Sequence, residues 1–351
     1  MRLRQVWIAL AAAIAGSGAA IAAGSAPAMT YVTGVINVED MVRVPGTRWI
    51  IGSGLADGQR TDGHIYLVSG EDHAVRILLP GRVDYRPDAK AYPDCPGKPD
   101  AARFSAHGLS LRHAPGQRDT LYVVHHGERE SVEVFTLDGR DENLRLTWIG
   151  CVIYPAGVYG NGVAALPGGA FAATSFMDPR DPNAFAKLEA RKPMGAVLVW
   201  RHKSGWQILP GASSISAPNG IEASADGKTL YVAGAGDETV VRLRVDGTGR
   251  PAVIKTGFHT DNLRWGDDGY LYAAGQRDTV QNLLECAPNT DKRCDSPFSV
   301  MRIDPKTLAA REIVHDPGHA AFGAASTALK LGGQYWLGTP HGDRIAILPA
   351  R

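Results

Sequence analysis

The sequence has no excess of charge of either sign: 37 Lys and Arg stand against 36 Asp and Glu in 351 residues, a formal net charge of +1. That balance excludes the basic face a nucleic-acid partner needs. The short signatures of several large enzyme classes are also missing: no Gly-x-Ser-x-Gly elbow, no His-Glu-x-x-His, no phosphate-cradling Gly-x-x-x-x-Gly-Lys and no dinucleotide fingerprint. Cysteine is scarce, four in all, and none has the Cys-x-x-Cys spacing of a zinc site. Beyond residue 28 no apolar run is long enough to span a bilayer.

Residues 1–28 carry a shorter apolar run. Arg2 and Arg4 precede an apolar stretch from Val6 to Ala15, and small residues end the segment at Ala26-Pro27-Ala28. This is the pattern of an export signal, with a retained membrane anchor as the alternative; membrane contact is expected only through this segment. Gly16, Ser17 and Gly18 interrupt the run, which favours cleavage and a periplasmic or secreted protein, one domain from 29 to 351. In an oxidising compartment four cysteines are expected to pair. Cys286 and Cys294 flank the polar loop CAPNTDKRC, a natural local staple, and Cys95 and Cys151 then pair by elimination; four free buried thiols are the alternative.

What is abundant is a short repeated cadence. In APNGIEASADGKTLYVAGAGDETVVRLRV, residues 217–245, brief alternating apolar runs are separated by Asp-Gly and Gly-rich turns, the mark of half-buried antiparallel strands. Polar openers at Glu39, His107, Asn161, Asn219, Asp261 and Ser326 are followed by aromatic strands at Trp49, Tyr122, Phe171, Tyr231, Tyr272 and Trp336. A third strand follows each: HIYLVS, SVEVFTL, AVLVW, TVVRLRV, SVMRI and RIAIL. Six such units predict an all-β, six-bladed β-propeller. The last unit runs out of chain near Arg351, while TYVTGVINV, residues 30–38, has no unit of its own. That N-terminal strand is therefore expected to complete the last blade, which leaves no free sheet edge.

The openers would meet around one central channel. Glu39, Asn161, Asn219, Asp261 and Asn262 offer only oxygen ligands, carboxylates mixed with amides, the set a hard divalent cation such as calcium takes. Singly, Asn-Gly and Asp-Asn are ordinary turn residues; their recurrence at one place in four units points to metal binding. His107 opens the second unit among these oxygens, and His125 and His126 end its second strand, one on each face of the sheet. A neutral imidazole there could accept a proton.

Together, VEDMVRV, SAHGLSL, LYVVHHGERESVEVF, GNGVAAL, APNGIEASADGKTLYVA, TDNLRW and GAASTALKLGGQYWLGTPHGDRIAIL resemble the paraoxonase and arylesterase family, in order, from about Tyr31 to Leu348. The motifs are related more loosely to the gluconolactonase and regucalcin propellers. The resemblance implies a catalytic calcium in the channel on Glu39, Asn161, Asn219, Asp261 and Asn262, with a small ester or lactone as substrate. It casts His107 as the group that activates water and His126 as its partner. It implies a calcium-dependent lactonase or arylesterase; a sugar-lactone hydrolase of the gluconolactonase type and a non-catalytic exported binding module are the alternatives. His125 stands where the family usually carries Asn, and the cysteine arrangement departs from that of the animal enzymes. The family's second, structural calcium would fall on Asp40 and the Leu109 carbonyl, but Gly162 stands where a further acid belongs. One tightly bound calcium is expected, with the second site weak or empty and an acid at 162 raising the count toward two if the geometry is otherwise kept.

Overall fold

The hairpin formed by Pro218–Ala223 and Thr229–Gly234 shows why the chain meanders. In its turn Asp226 Oδ1 accepts from Lys228 N at 3.0 Å, and Gly227 has a φ of 67°, the left-handed region that glycine enters without a steric cost. With the turn closed, Ala223 pairs with Leu230 and Ile221 with Val232. A third strand, Thr239–Arg244, and a fourth, Ala252–Lys255, add to the same edge.

The computed structural model describes residues 29–56, 63–81, 83–139, 143–286 (side chains through 283) and 294–350. Among them the chain builds this sheet six times, as a six-bladed propeller. Blade 1 is Val38–Arg43, Trp49–Gly54, His64–Ser69 and Val75–Leu79. Blade 2 is Ser105–Arg112, Thr120–His126, Ser131–Asp138 and Arg145–Ile153, with Val83–Tyr85 added in parallel outside. Blade 3 is Tyr159–Ala165, Phe171–Met177, Ala196–Arg201 and Gly205–Ile208. The hairpin above belongs to blade 4, and blade 5 is His259–Trp265, Leu271–Gln276, Phe298–Ile303 and Ala310–Asp316. Blade 6 has Thr327–Leu331, Gln334–Gly338 and Arg344–Pro349, and its outer strand is Thr30–Thr33, antiparallel with Thr30 opposite Ile347. The inner strand of each blade touches those of its neighbours, and that of blade 6 touches blade 1.

The core is divided among the gaps between blades. Trp49 and Phe135 lie in the gap between blades 1 and 2, Tyr122 and Phe171 in the next, and Trp336 packs with Ile50 and Val68 where blade 6 meets blade 1. All six aromatics of the second strands are buried, which explains the aromatic half of the cadence. Each fully buried side chain of that size contributes about 1.5–3 kcal/mol.

Two short helices depart from the ring. Here α1 is Ala184–Glu189 and α2 is Val280–Cys286, in the connections inside blades 3 and 5. Among the described residues no helix is long and apolar enough to cross a membrane. The Cys95–Cys151 disulfide forms, tying the segment ahead of blade 2 to that blade's fourth strand. The expected export segment 1–28 and the Cys286 side chain of the other expected pair lie outside the described residues.

Candidate metal centre and histidine relay

In blades 1 to 5 the inner strand carries, at one step of its ladder, one residue too many for its partner. In blade 1 Val38 pairs with Gly54 and Asp40 with Ser53, so Glu39 has no opposite residue. In blade 2 the step from Ala106 to Leu109 is matched only by that from His125 to Val123. Blades 3, 4 and 5 repeat the mismatch from Gly160 to Val163, Pro218 to Ile221 and Thr260 to Leu263. In blade 6 the ladder from Thr327 to Leu331 is regular, and Ser326 lies just before it. A bulge frees a residue from the ladder and re-aims its side chain. The bulged residues include Glu39, His107, Asn161, Asn219, Asp261 and Asn262; the first five line one cavity, and Asn262 meets it through its Nδ2 bond to Glu39 Oε1.

Glycine after the opener draws these strands together. A Cβ on Gly108 would lie 2.2 Å from the Asn161 carbonyl oxygen, and one on Gly220 2.6 Å from Asn262 Cα. Gly162 is held the same way, its Cβ position 2.9 Å from Asn219 O. An aspartate at 162 therefore has to push back the Asn219 backbone, so the condition that the geometry be kept is not met without a shift between blades 3 and 4.

The donors are buried and incompletely satisfied. Glu39 is 2% exposed, Asn161 6%, Asn219 8% and Asp261 8%, yet Glu39 Oε2, Asn161 Oδ1 and Asn219 Oδ1 have no hydrogen-bond partner. Buried oxygens without partners are costly. Asn262 turns its Nδ2 to Glu39 Oε1 at 2.5 Å, and Gln276 Nε2 donates to Asp261 Oδ2 at 2.7 Å. Burial, and then the charges of Asp261 and Asp40, raise the Glu39 carboxyl well above its ordinary range. Burial pushes Asp261 up to about 7. Among the described residues no three His, Cys, Asp or Glu side chains converge as a metal group; the donor set here is two carboxylates and three amides. Two partnerless amide oxygens and a partnerless oxygen of Glu39, with Asp261 as a second carboxyl that resists ionisation, fit a hard dication.

The histidines form a chain whose tautomers can be worked out. His126 Nδ1 lies 2.7 Å from Glu130 Oε1, and a carboxylate only accepts, so this nitrogen carries the hydrogen. In neutral His126 the Nε2 is then the acceptor, and His107 Nδ1, 2.8 Å away, donates to it. The lone pair of His107 Nε2 is left facing the donors, 3.4 Å from Asn161 Nδ2 and 3.7 Å from Glu39 Oε1. Burial first, then His126, holds the His107 pKa well below its ordinary value, so the ring is neutral at pH 7. Tyr159 stacks on His126 with ring planes 10° apart, and the second Glu130 oxygen accepts from Gly160 N. His125 points the other way, fully buried and stacked on Phe104, bonded to Glu128, its pKa lowered by burial to about 4. It belongs to the packing between blades.

Above the donors lies a cavity of about 330 Å³ walled by Tyr159, Phe176, Met177, Leu188, Val280 and Leu283, with α1 and α2 forming its sides. Glu39, His107, Asn161, Asn219 and Asp261 line it as well.

Asp40 and the Leu109 carbonyl, expected to hold a second ion weakly, are instead brought together around the Arg264 guanidinium. Arg264 Nε donates to Asp40 Oδ1 at 2.8 Å, Nη2 to Asp40 Oδ2 and to Leu109 O, and Nη1 to Glu222 Oε1 at 2.6 Å. Desolvation works against its charge, but Asp40 and Glu222 raise the guanidinium above its ordinary value. Arg264 and Glu130 were not singled out by the sequence pattern. The only hint of Arg264 is its position two residues after Asn262, which places it on the same strand face.

No family model matches the chain, and no curated protein matches it by sequence. Solved structures do. A luciferin-regenerating enzyme is 11% identical over 92% of this chain and 95% of that one, with a TM-score of 0.55. A protein described as a gluconolactonase is 15% identical over 93% of each chain, TM-score 0.52. The calcium-binding protein regucalcin of Agrobacterium tumefaciens is 12% identical over 90% of this chain and 92% of its own, TM-score 0.51. At these identities the likeness is one of fold.

Proposed function

We propose that this chain is a calcium-dependent hydrolase of lactones and aryl esters, exported to the periplasm or beyond. The observation that carries it is the meeting, at the floor of one cavity, of three partnerless buried oxygens with the lone pair of His107 Nε2. Glu39, Asn161, Asn219, Asp261 and Asn262 would hold the ion, and regucalcin, a propeller of like fold, is a calcium-binding protein. Bound there, calcium supplies a Lewis acid and a place for the negative charge that builds on a carbonyl oxygen as water adds. His107 Nε2 accepts the proton of that water and returns it to the departing alkoxide oxygen. His126 and Glu130 stabilise the imidazolium in between, and Tyr159 keeps the His126 ring in plane. The cysteine pair 95–151 is in keeping with an oxidising compartment.

A sugar-lactone hydrolase of the gluconolactonase kind is the second reading, favoured by the fold of one neighbour. The walls speak for the first. Phe176, Met177, Phe185, Leu188, Val280 and Leu283 make an apolar wall, and besides the proposed ligands and His107 only a few polar side chains, among them His259, Gln276 and His341, line the cavity with them. The decisive assay sets acyl-homoserine lactones, δ-lactones, phenyl acetate, a phosphotriester and a sugar lactone side by side, with and without chelator. Hydrolysis of a lactone or aryl ester should vanish with chelator and return with calcium. Turnover of the sugar lactone alone would favour the second reading, binding without turnover an exported binding module, and full recovery with zinc in place of calcium would refute the oxygen cage.

The carboxylates add a pH dependence. Raised pKa values mean that the cation-free fold prefers Glu39 and Asp261 protonated. Their contribution to stability is present below their unfolded value and lost as the pH rises through about 7 for Asp261. A cation needs the ionised forms, so it should bind with release of protons near neutrality, more weakly as the pH falls below that point. His107, its pKa held well below the ordinary value by burial, is already neutral near pH 7 and has no proton to release when a cation arrives. Calorimetry in two buffers of different ionisation enthalpy measures the protons released; none released at pH 6.5 would contradict the buried carboxylate pair.

A further inference from the structure

One layer further along the inner strands from the donors lies a second set of buried oxygens that the proposed chemistry does not use. Asp40 is fully buried and follows Glu39 directly. Its carboxylate accepts from Met41 N and Leu109 N, each at 2.8 Å, and from Thr327 Oγ1 at 3.3 Å, besides Arg264. Through Arg264 the set extends to Leu109 O at 2.8 Å and Glu222 at 2.6 Å. Blades 1, 2, 4, 5 and 6 thus meet at one point, and the Arg264 side chain there is 5% exposed.

The chemistry of the cluster is that of a cation site. Two carboxylates, a backbone carbonyl and a hydroxyl converge, and all are hard oxygen donors. The positive charge they surround is organic: a planar fork whose three nitrogens each meet an acceptor, as guanidinium does best. A metal ion would compete for the same oxygens, and none of the four acceptor atoms facing Arg264 is left over.

We infer that Arg264 is a resident cation of the channel, a positioning residue that holds the inner ends of five blades where a divalent ion could otherwise stand. It fixes Glu39 through Asp40, His107 through Leu109, Asn219 through Glu222 and Asn262 through its own strand. The lower layer is thereby independent of metal supply, whatever the upper donors bind. Removing the guanidinium should convert the same oxygens into a divalent-cation site.

Arg264→Met, which keeps much of the stem and loses the charge, tests this against the wild type by metal analysis after equilibration with calcium chloride and by melting with and without chelator. The variant is expected to hold one equivalent of calcium more than the wild type. Without cation it should melt roughly 5–10 °C lower, as for a broken buried ion pair, and millimolar calcium should restore most of that loss. Arg264→Lys, still cationic, should gain no equivalent, and adding Asp40→Asn to Arg264→Met should abolish the gain. Recovery of Arg264→Met only from calcium-containing medium would be the same result in stronger form. Equal stoichiometry in wild type and variant, a second equivalent in the wild type with Arg264 intact, or a variant that stays unfolded in calcium would each overturn the inference. Because the readout is the increment over wild type, failure of the upper donors to bind calcium would shift the baseline and leave this test unchanged.

Discussion

Asp261→Ala is expected to lower lactone or aryl-ester hydrolysis roughly a thousandfold and to release the ion on dialysis. The size follows from Lewis-acid stabilisation worth several kcal/mol, at a factor of ten for each 1.4 kcal/mol or so. Asp261 supplies one of two carboxylates in the upper set, and calcium affinity tracks the number of charged ligands. The substitution also separates function from folding. In chelator, the wild type buries Glu39 and Asp261 together although each disfavours the other's charge, and Asp261→Asn removes that conflict while keeping the size and planar shape of the side chain. The cation-free Asn variant should therefore melt no lower than cation-free wild type, although it is inactive. Asn219→Ala should weaken ion retention in the same direction. Wild-type turnover in either alanine variant would remove that residue from the donor set.

His107→Gln should cost about a hundredfold to ten-thousandfold in kcat, the usual range for a general base, while calcium affinity stays close to wild type. The reason is positional: Nε2 presents its lone pair toward the donors at 3.4–3.7 Å from Asn161 and Glu39 without being one of them. Glu130→Gln should act more mildly, roughly tenfold to a hundredfold, the scale seen when the group orienting a functional histidine is lost. An amide can present its NH2 to His126 Nδ1, which reverses the tautomer and turns a proton on His107 toward the donors. KM should hardly move in either variant, and the pH–rate profile of Glu130→Gln should be displaced. A loss under threefold for His107→Gln would take this residue out of the reaction.

Much of the propeller could be read in advance, because its two recurring requirements leave marks at single positions. A blade needs a large apolar ring on its second strand to fill the gap beside it, and Trp49, Phe171 and Trp336 announce that need locally. A cavity floored by buried oxygens needs polar residues at inner-strand starts, and Glu39, Asn161 and Asn219 stand out there against apolar surroundings. What could not be read depends on partners far away in sequence. The bulges exist only relative to the neighbouring strand's count. Arg264 looks like a surface residue of an alternating strand, and its partner Asp40 is 224 positions away. Glu130 sits in a charged turn, where a solvated side chain is the ordinary expectation, and only the fold brings Gly160 N to its second oxygen. Gly162 was legible as a missing acid, but its packing against Asn219 was not.

The surplus residue on five of the six inner strands has a consequence for how such a protein can change. An opener held in a bulge takes no part in pairing its own blade, so exchanging its side chain leaves the strand order, the interblade aromatics and the ring closure untouched. Scaffold and chemistry are then nearly separable inheritances. Substitution at these positions can replace one reaction by another, or by simple binding, without passing through an unfolded ancestor. The glycines behind the openers are the reverse: silent in any reaction, and closed to replacement because a neighbouring backbone already fills the space.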